Sequence, residues 1–341
     1  MKHTMTNVYV CPVTGTQLQL SVSEVVGGEV VTGQLVNENG LIFEIKQGIP
    51  DFTYPQQLPF SDLAAKQWYD SNAHVYDEYL PLTFMTFDED ESAVRNALVD
   101  KLRLEPEHKV LELGAGTGRD SVLIAQRLSE KGALYLQDIS LPIFEKSFKK
   151  MEGSNVPTEF HLGNASHLPF PDQYFDAVFH FGGLNTFSDI TRFFSECARV
   201  TKVGGRIVVG DESMPAWLRG TDFAKILMNS NPHYCYDLPL AHLPIEARNV
   251  KLEWIIGGVF YVIDFDVGSG APTANFDFEI PGPRGGTHRT RYFGHLEGVT
   301  PAAKLLAQRA QSISQKSMHR WLDDAITEAA QREIETAGKL K

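Results

Sequence analysis

The sequence predicts an α/β fold: a doubly wound, mostly parallel open sheet of Rossmann-like type, closed by a C-terminal antiparallel hairpin. Three observations carry this. Val110–Asp120 reads V-L-E-L-G-A-G-T-G-R-D, an apolar strand end that runs straight into glycines at alternate positions and then into a helix. Asp138 stands just past the next strand, Ala133–Leu136. His161–Val178 and Lys251–Val267 supply further strands, the latter as two runs joined at Gly257-Gly258.

Composition bounds the rest. A chain of 341 residues accommodates two domains, or one with appendages, and 43% hydrophobic residues provide a sizeable core. The net charge of −12 opposes binding to a phosphate backbone, so no nucleic-acid partner is expected. Cys11, Cys197 and Cys235 lie far apart, which argues for reduced thiols and a cytoplasmic protein. No run is apolar for long enough to span a bilayer, and the N-terminus lacks the apolar core of a signal peptide.

In chain order, residues 1–54 read as a small β-rich segment. Short strands at Val8–Val10, Leu18–Leu20, Glu29–Val36 and Gly40–Ile45 alternate with turn signals. Residues 55–90 read as linker and lid, with a helix through Asp70–Tyr79 and Tyr69 and Tyr76 seven apart, hence on one face. Residues 91–267 form the core. It opens with an amphipathic helix over Asp88–Leu104, stopped by Glu105-Pro106. After the glycine bend, Val122, Leu123, Ala125 and Leu128 share a helix face. Arg192–Val200 is a helix and Arg206–Val209 a strand. The irregular, aromatic-bearing stretch 214–250 is placed over an acceptor, with Trp217 and Tyr234 as contacts. Residues 268–341 form a C-terminal extension. It holds a basic loop and two helices, one capped by Thr300-Pro301 and one by Ser317 with its end near Gly338. Seven Lys or Arg stand between Pro281 and Arg320 against one acid, Glu297.

The glycine spacing narrows the ligand. A dinucleotide bend has the pattern G-x-G-x-x-G/A. Here the third glycine comes one position early, and Arg119 stands where Gly or Ala is expected. Asp138 suits ribose hydroxyls in either a nicotinamide or an adenosyl site.

With H-L-G-N-A-S-H-L-P-F-P-D-Q-Y-F-D-A-V at His161–Val178, the motif E-L-G-A-G-T-G resembles the class I S-adenosylmethionine-dependent methyltransferases. The likeness is to the ubiquinone/menaquinone methyltransferase-like group and covers roughly Ala73–Val267. It implies S-adenosylmethionine as co-substrate. Gly114, Ala115, Gly116 and Gly118 would pass under the methionine moiety, with Glu112 orienting its amino group. Asp138 would hold the ribose and Ile139 would lie on the adenine. Asn164 would stand where many relatives carry an aspartate that accepts from the adenine amino group, and Ala165 would offer its N–H. Phe181, at the end of the fourth strand, would lie near the methyl group. The run Y-V-C-P-V-T-G … G-I-P-D-F resembles a zinc-ribbon segment found before some methyltransferase domains, including rRNA guanine methyltransferases. Cys11 has no cysteine partner at Thr14, and His3 is the other nearby candidate, so no metal is expected.

Displacement at a sulfonium is driven by holding the acceptor in line and excluding water, so a triad or metal is not required. Candidates for orienting or deprotonating the acceptor are His180, Asn185, Tyr69 and Tyr76. Arg289 and Arg291, beside a Gly-Gly in P-R-G-G-T-H-R-T-R-Y, suit a carboxylate or phosphate, which suggests a small anionic acceptor. An unpaired apolar face on the terminal helices would favour a homodimer. Alternatives are an RNA methyltransferase, a nicotinamide dehydrogenase and a non-catalytic binding protein that keeps the fold.

Overall fold

The computed structural model describes residues 8–294, 296 and 299–338; His3 and Glu297 lie outside the described residues. The chain begins with a small antiparallel sheet in the order β1-β2-β3-β4, formed by β1 (Gln19–Val26), β2 (Glu29–Val36), β3 (Ile42–Lys46) and β4 (Ile49–Pro50). Val8–Val10 is not a strand. Val10 makes one bridge to Gln17, because the chain turns immediately at Cys11–Gly15, where the Gly15 N–H donates to the Cys11 carbonyl at 2.8 Å.

The segment expected to form a lid consists of α1 (Phe60–Asn72) and α2 (Tyr76–Thr86), not one helix through Asp70–Tyr79. At the break, the Asn72 amide donates back to the Trp68 carbonyl at 2.8 Å, a local bond that competes with helix continuation. Next comes α3 (Glu91–Asp100), shorter than the sequence suggests. It starts where Asp90 caps the Ala93 N–H at 3.1 Å.

The core alternates β5 (Lys109–Leu113), α4 (Arg119–Ala125), β6 (Ala133–Asp138), α5 (Leu141–Met151), β7 (Thr158–Leu162), β8 (Phe175–Phe181), α6 (Ile190–Val200) and β9 (Thr201–Glu212). There follow α7 (Asp222–Ser230), β10 (Ala247–Ile255) and β11 (Phe260–Val267). These strands form one seven-stranded sheet in the order β10-β11-β9-β8-β5-β6-β7. β5 to β9 are parallel, whereas β11 runs antiparallel to β9, and β10 to β11. The order reverses at β5, with β6 on one side and β8 on the other, so the crevice at the carboxyl ends opens there.

Strand alternation divides the core. Leu111, Leu113, Val178 and Ile207 are buried on one face, and Val110, Leu136, Phe179 and Val208 on the other. The first of these faces also receives Leu35 and Ile45 from the N-terminal sheet and Tyr9 and Phe52 from the segments flanking it. Tyr9 packs on Phe52 at 4.8 Å and on Phe170 at 5.4 Å between ring centroids. The N-terminal sheet thus shares a core with the main sheet, inside one compact unit that ends at Pro272.

A second unit runs from Thr273 and contains α8 (His288–Phe293), α9 (Pro301–Ser314) and α10 (Met318–Gly338). Thr300 caps the Ala303 N–H at 3.3 Å, and Ser317 caps the Arg320 N–H at 3.2 Å. No helix among the described residues is long and apolar enough to cross a membrane.

Candidate active site

The bend after β5 needs glycine for different reasons at each position. Gly114, Gly116 and Gly118 have φ of +62°, +54° and +79°, a region that L side chains rarely adopt. A Cβ on Gly114 would stand 3.3 Å from the His180 ring, and one on Gly118 would stand 2.8 Å from the Ser147 Cβ. At Gly116 the nearest atoms are 3.9 Å away. Gly118 therefore serves helix packing, while Gly114 and Gly116 line a cavity over the carboxyl ends of the strands. Ala115 is buried, and its N–H is held by the Gln137 carbonyl at 2.9 Å.

Asp138, at the end of β6, is built into this cavity. One carboxylate oxygen accepts the Gly116 N–H at 2.8 Å and the other the Ser140 N–H at 2.9 Å. The Ile139 N–H bonds to the carboxylate as well, and of its roughly four acceptor directions one stays open to a ligand hydroxyl. Burial raises the Asp138 carboxyl to about 6, against the lowering effect of these backbone N–H groups. Ile139 lines the same cavity. Glu112 does not. Its carboxyl is buried and takes the Ser121 hydroxyl proton at 2.6 Å, so it braces α4 rather than facing a ligand. Burial pushes its pKa well up, as does nearby Asp120.

Beyond Asp138, toward β7, stand Asn164 and Ala165. The Asn164 amide oxygen accepts the Ser166 N–H at 3.0 Å, and its amide nitrogen donates to Asp62 of α1 at 3.1 Å. Asp62 is buried and lines the cavity beside Asn164.

On the opposite side, at the end of β8, His180 and Phe181 complete the wall. His180 is fully buried between Phe187 and Phe193. Its Nδ1 meets the Leu113 carbonyl at 2.9 Å and must donate there. Burial lowers its pKa, so the ring is neutral. Its Nε2 is left as a buried acceptor without a hydrogen-bond partner among the described residues. The open side of Gly116, the spare lone pair of Asp138 and this orphaned nitrogen together fit an adenosyl ligand that carries hydroxyl and N–H donors.

A second cavity, of about 630 Å³, adjoins the first. Tyr69, Tyr76, Phe181, Gly182 and Gly183 line both. Tyr69 ends α1 and Tyr76 starts α2, so the helix break turns their rings to within 5.8 Å of each other. Burial raises both phenols, and so does the field of Asp138, Asp211 and Glu212. Asn185 lines the larger cavity, with its amide nitrogen donating to the Glu212 carbonyl at 2.8 Å.

The sequence reading missed two acids here, Asp211 and Glu212, although V-V-G-D-E places them at the carboxyl end of a parallel strand. Asp211 is buried and accepts the N–H groups of Gly183 at 3.1 Å and Asn185 at 2.7 Å. Burial raises its carboxyl well above the usual range, helped by the charge of Glu212 and a hydrogen bond to it. Glu212 faces the cavity.

The acceptor contacts chosen from stretch 214–250 do not line this cavity. Trp217 is exposed and packs on Trp254, and Tyr234 is buried against Phe260. Their neighbours Asn231, His233 and Tyr236 line it instead. Arg289 is engaged by Asp277 at 2.7 Å and Arg291 by the Gly285 carbonyl at 3.1 Å, all within the second unit. In the N-terminal sheet, Cys11 is buried and accepts a bond from the Asn37 amide at 3.4 Å.

Residues 111–209 match the profile of the methyltransferase domain family. The chain is 32% identical over 111 residues to the ubiquinone/menaquinone biosynthesis C-methyltransferase UbiE of Cupriavidus pinatubonensis, covering 33% of this chain and 46% of the relative. It is 35% identical over 109 residues to UbiE of Francisella philomiragia, covering 31% and 44%. The chain thus spans about half the length of the curated relatives it matches. Among solved structures, the geranyl diphosphate C-methyltransferase of Streptomyces coelicolor is similar at 17% identity and a TM-score of 0.41, covering 52% of this chain and 79% of that one. Residues 111–209 thus resemble a methyltransferase domain, and the sheet order, the glycine bend and the strand-end carboxylate agree with the resemblance that the sequence motifs carry.

Proposed function

We propose that the chain transfers a methyl group from S-adenosylmethionine to a small acceptor held in the cavity of about 630 Å³. The observation that carries this reading is the shared wall. Tyr69, Tyr76, Phe181, Gly182 and Gly183 belong both to the cavity that carries Asp138 and to the larger one. A donor group seated over Asp138 would reach the acceptor through that wall and nowhere wetter.

When bound, adenosylmethionine supplies an activated methyl group on a sulfonium. This chain's residues would do the rest. Gly114, Gly116, Asp138, Ile139 and Ala165 would hold the adenosyl end. Tyr69 and Tyr76, kept as neutral phenols, would exclude water and bound the acceptor. Glu212, with its carboxyl tied to Asp211, would take a proton from an acceptor that arrives protonated. His180 would set the Leu113 carbonyl, and Asn185 the Glu212 carbonyl, as positioning residues.

The anionic acceptor expected from Arg289 and Arg291 gains no support. Both arginines have partners in the second unit, and the cavity cation Arg95 is held by Asp120 at 2.6 Å and by Glu91 at 2.7 Å. Glu212 would repel an anion. The acceptor is therefore proposed as neutral or cationic. We also propose self-association. α9 exposes Leu305, Leu306 and Ile313, and light scattering should then read twice the 38.0 kDa chain mass.

Calorimetry with S-adenosylmethionine and S-adenosylhomocysteine tests the donor site. Incubation of the protein with methyl-labelled donor and cell extract, followed by mass spectrometry, tests the transfer. Binding of neither compound by folded protein refutes the reading. Binding without any labelled metabolite removes catalysis.

A further inference from the structure

We propose that Asp62, carried by the lid helix α1, reads the exocyclic amino group of the adenine, the task the sequence assigns to Asn164. This deepens the adenosyl-site reading and rests on it.

The direction of the ligand follows from the sheet. The acceptor cavity joins the adenosyl cavity at the β8 end, through Phe181, Gly182 and Gly183. The reacting end of the donor belongs there. Asp138, the ribose carboxylate, stands at β6. The remaining end of the cavity lies toward β7, so the base is directed to the loop after that strand, where Gly163, Asn164 and Ala165 form the wall.

The chemistry at that end differs from what Asn164 alone offers. Its amide oxygen is used by the Ser166 N–H at 3.0 Å and its amide nitrogen by Asp62 at 3.1 Å. Asp62 is the charged acceptor of this wall and is only 5% exposed. Its Oδ1 accepts the Ser188 N–H at 2.8 Å. Its Oδ2 accepts the Ser188 hydroxyl at 2.6 Å as well as the Asn164 amide. Three donors therefore hold the carboxylate in one orientation, and a carboxylate has about four acceptor directions. The free direction belongs to Oδ1. An adenine amino N–H is a donor that fits it, and a bond to a charged acceptor is stronger than one to an amide oxygen. Asn164 becomes the residue that positions Asp62. The lid thereby closes on the base itself: α1 contributes Asp62 near its start and Tyr69 near its end.

Calorimetry with S-adenosylhomocysteine and S-inosylhomocysteine tests this. The inosine base presents a carbonyl oxygen where adenine presents the amino group, and that oxygen would face the Asp62 carboxylate. Wild-type protein should prefer the adenosyl compound by about tenfold or more, because a buried polar group left unpaired is costly. In Asp62→Asn, whose amide can turn a donor toward the carbonyl, the preference should fall toward unity. In Asn164→Ala the preference should survive, with weaker binding of both compounds. Three results would overturn the proposal: a wild-type ratio near one, an Asp62→Asn variant that loses affinity for both compounds equally, or loss of the preference in Asn164→Ala alone. The wild-type and Asn164→Ala ratios decide the matter even where Asp62→Asn does not fold. Absence of any heat from S-adenosylhomocysteine with folded wild-type protein would instead remove the donor site and this reading with it.

Discussion

Asp138 is the residue at which binding and protonation meet. Burial disfavours the charge and raises its carboxyl to about 6 in the folded chain, above its ordinary value of 3.8. A raised folded pKa means that the contribution of Asp138 to stability is present below about pH 4 and is lost as the pH rises through about 6. Ligand binding should run the other way, because in the proposed site the ionised carboxylate would accept the ribose hydroxyls. Affinity for S-adenosylhomocysteine should fall roughly tenfold between pH 7 and pH 5, in line with ionisation near pH 6. Calorimetry across that range reads it, and a flat profile would deny Asp138 the ribose. The glycines divide in a similar way. Gly116→Ala should cost about 1 kcal/mol of stability from positive φ yet abolish most ligand affinity. Gly118→Ala meets the Ser147 Cβ at 2.8 Å and should lower the melting temperature much more. The bend and Asp138 were readable because their signals are local in sequence. Asp62 was not, since its partners Asn164 and Ser188 come from distant parts of the chain.

At the scale of elements, the lid is pinned at α2 by one acid. Asp77 takes the Thr117 hydroxyl at 2.8 Å, Arg119 Nε at 3.3 Å and Lys150 Nζ at 3.2 Å. These bonds tie α2 to the start of α4 and the end of α5, and the hydroxyl and both cations hold the carboxyl below its ordinary range despite the opposing cost of burial. Partly exposed pairs of this kind add little to global stability. Asp77→Ala should therefore leave the melting temperature nearly unchanged while hydrogen exchange in residues 76–86 quickens and bound S-adenosylhomocysteine dissociates faster. An unchanged dissociation rate would mean that α2 does not gate the site. The sequence placed Tyr69 and Tyr76 together by assuming one continuous helix. The rings do meet, but across a break made by the Asn72 back-bond, a competition that apolar spacing does not reveal. In the stretch 214–250, aromatic character pointed to Trp217, whereas the cavity is lined by its less conspicuous neighbours His233 and Tyr236.

For the molecule as a whole, the N-terminal sheet behaves as part of the core and not as an ornament. Tyr9 and Phe52 are fully buried against Phe170 and His161. Burying each large side chain is worth about 1.5–3 kcal/mol, so removing this sheet would expose more than a typical domain can lose. A chain lacking residues 1–54 should lose its near-ultraviolet dichroism or precipitate, and a well-folded truncation would show the sheet to be dispensable. The doubly wound order was legible from strand patterning, but this fusion was not. Turn signals describe where strands end and say nothing about which remote surface their apolar faces cover.

The same fusion sets a timetable for biosynthesis. The Phe52 N–H is satisfied by the Leu162 carbonyl, and the Val10 N–H by the Pro169 carbonyl. Neither acceptor exists when the first strands leave the ribosome. At typical translation speeds residues 8–52 must wait on the order of ten seconds with their aromatic face bare, which makes them a stretch of nascent chain that a chaperone would shelter.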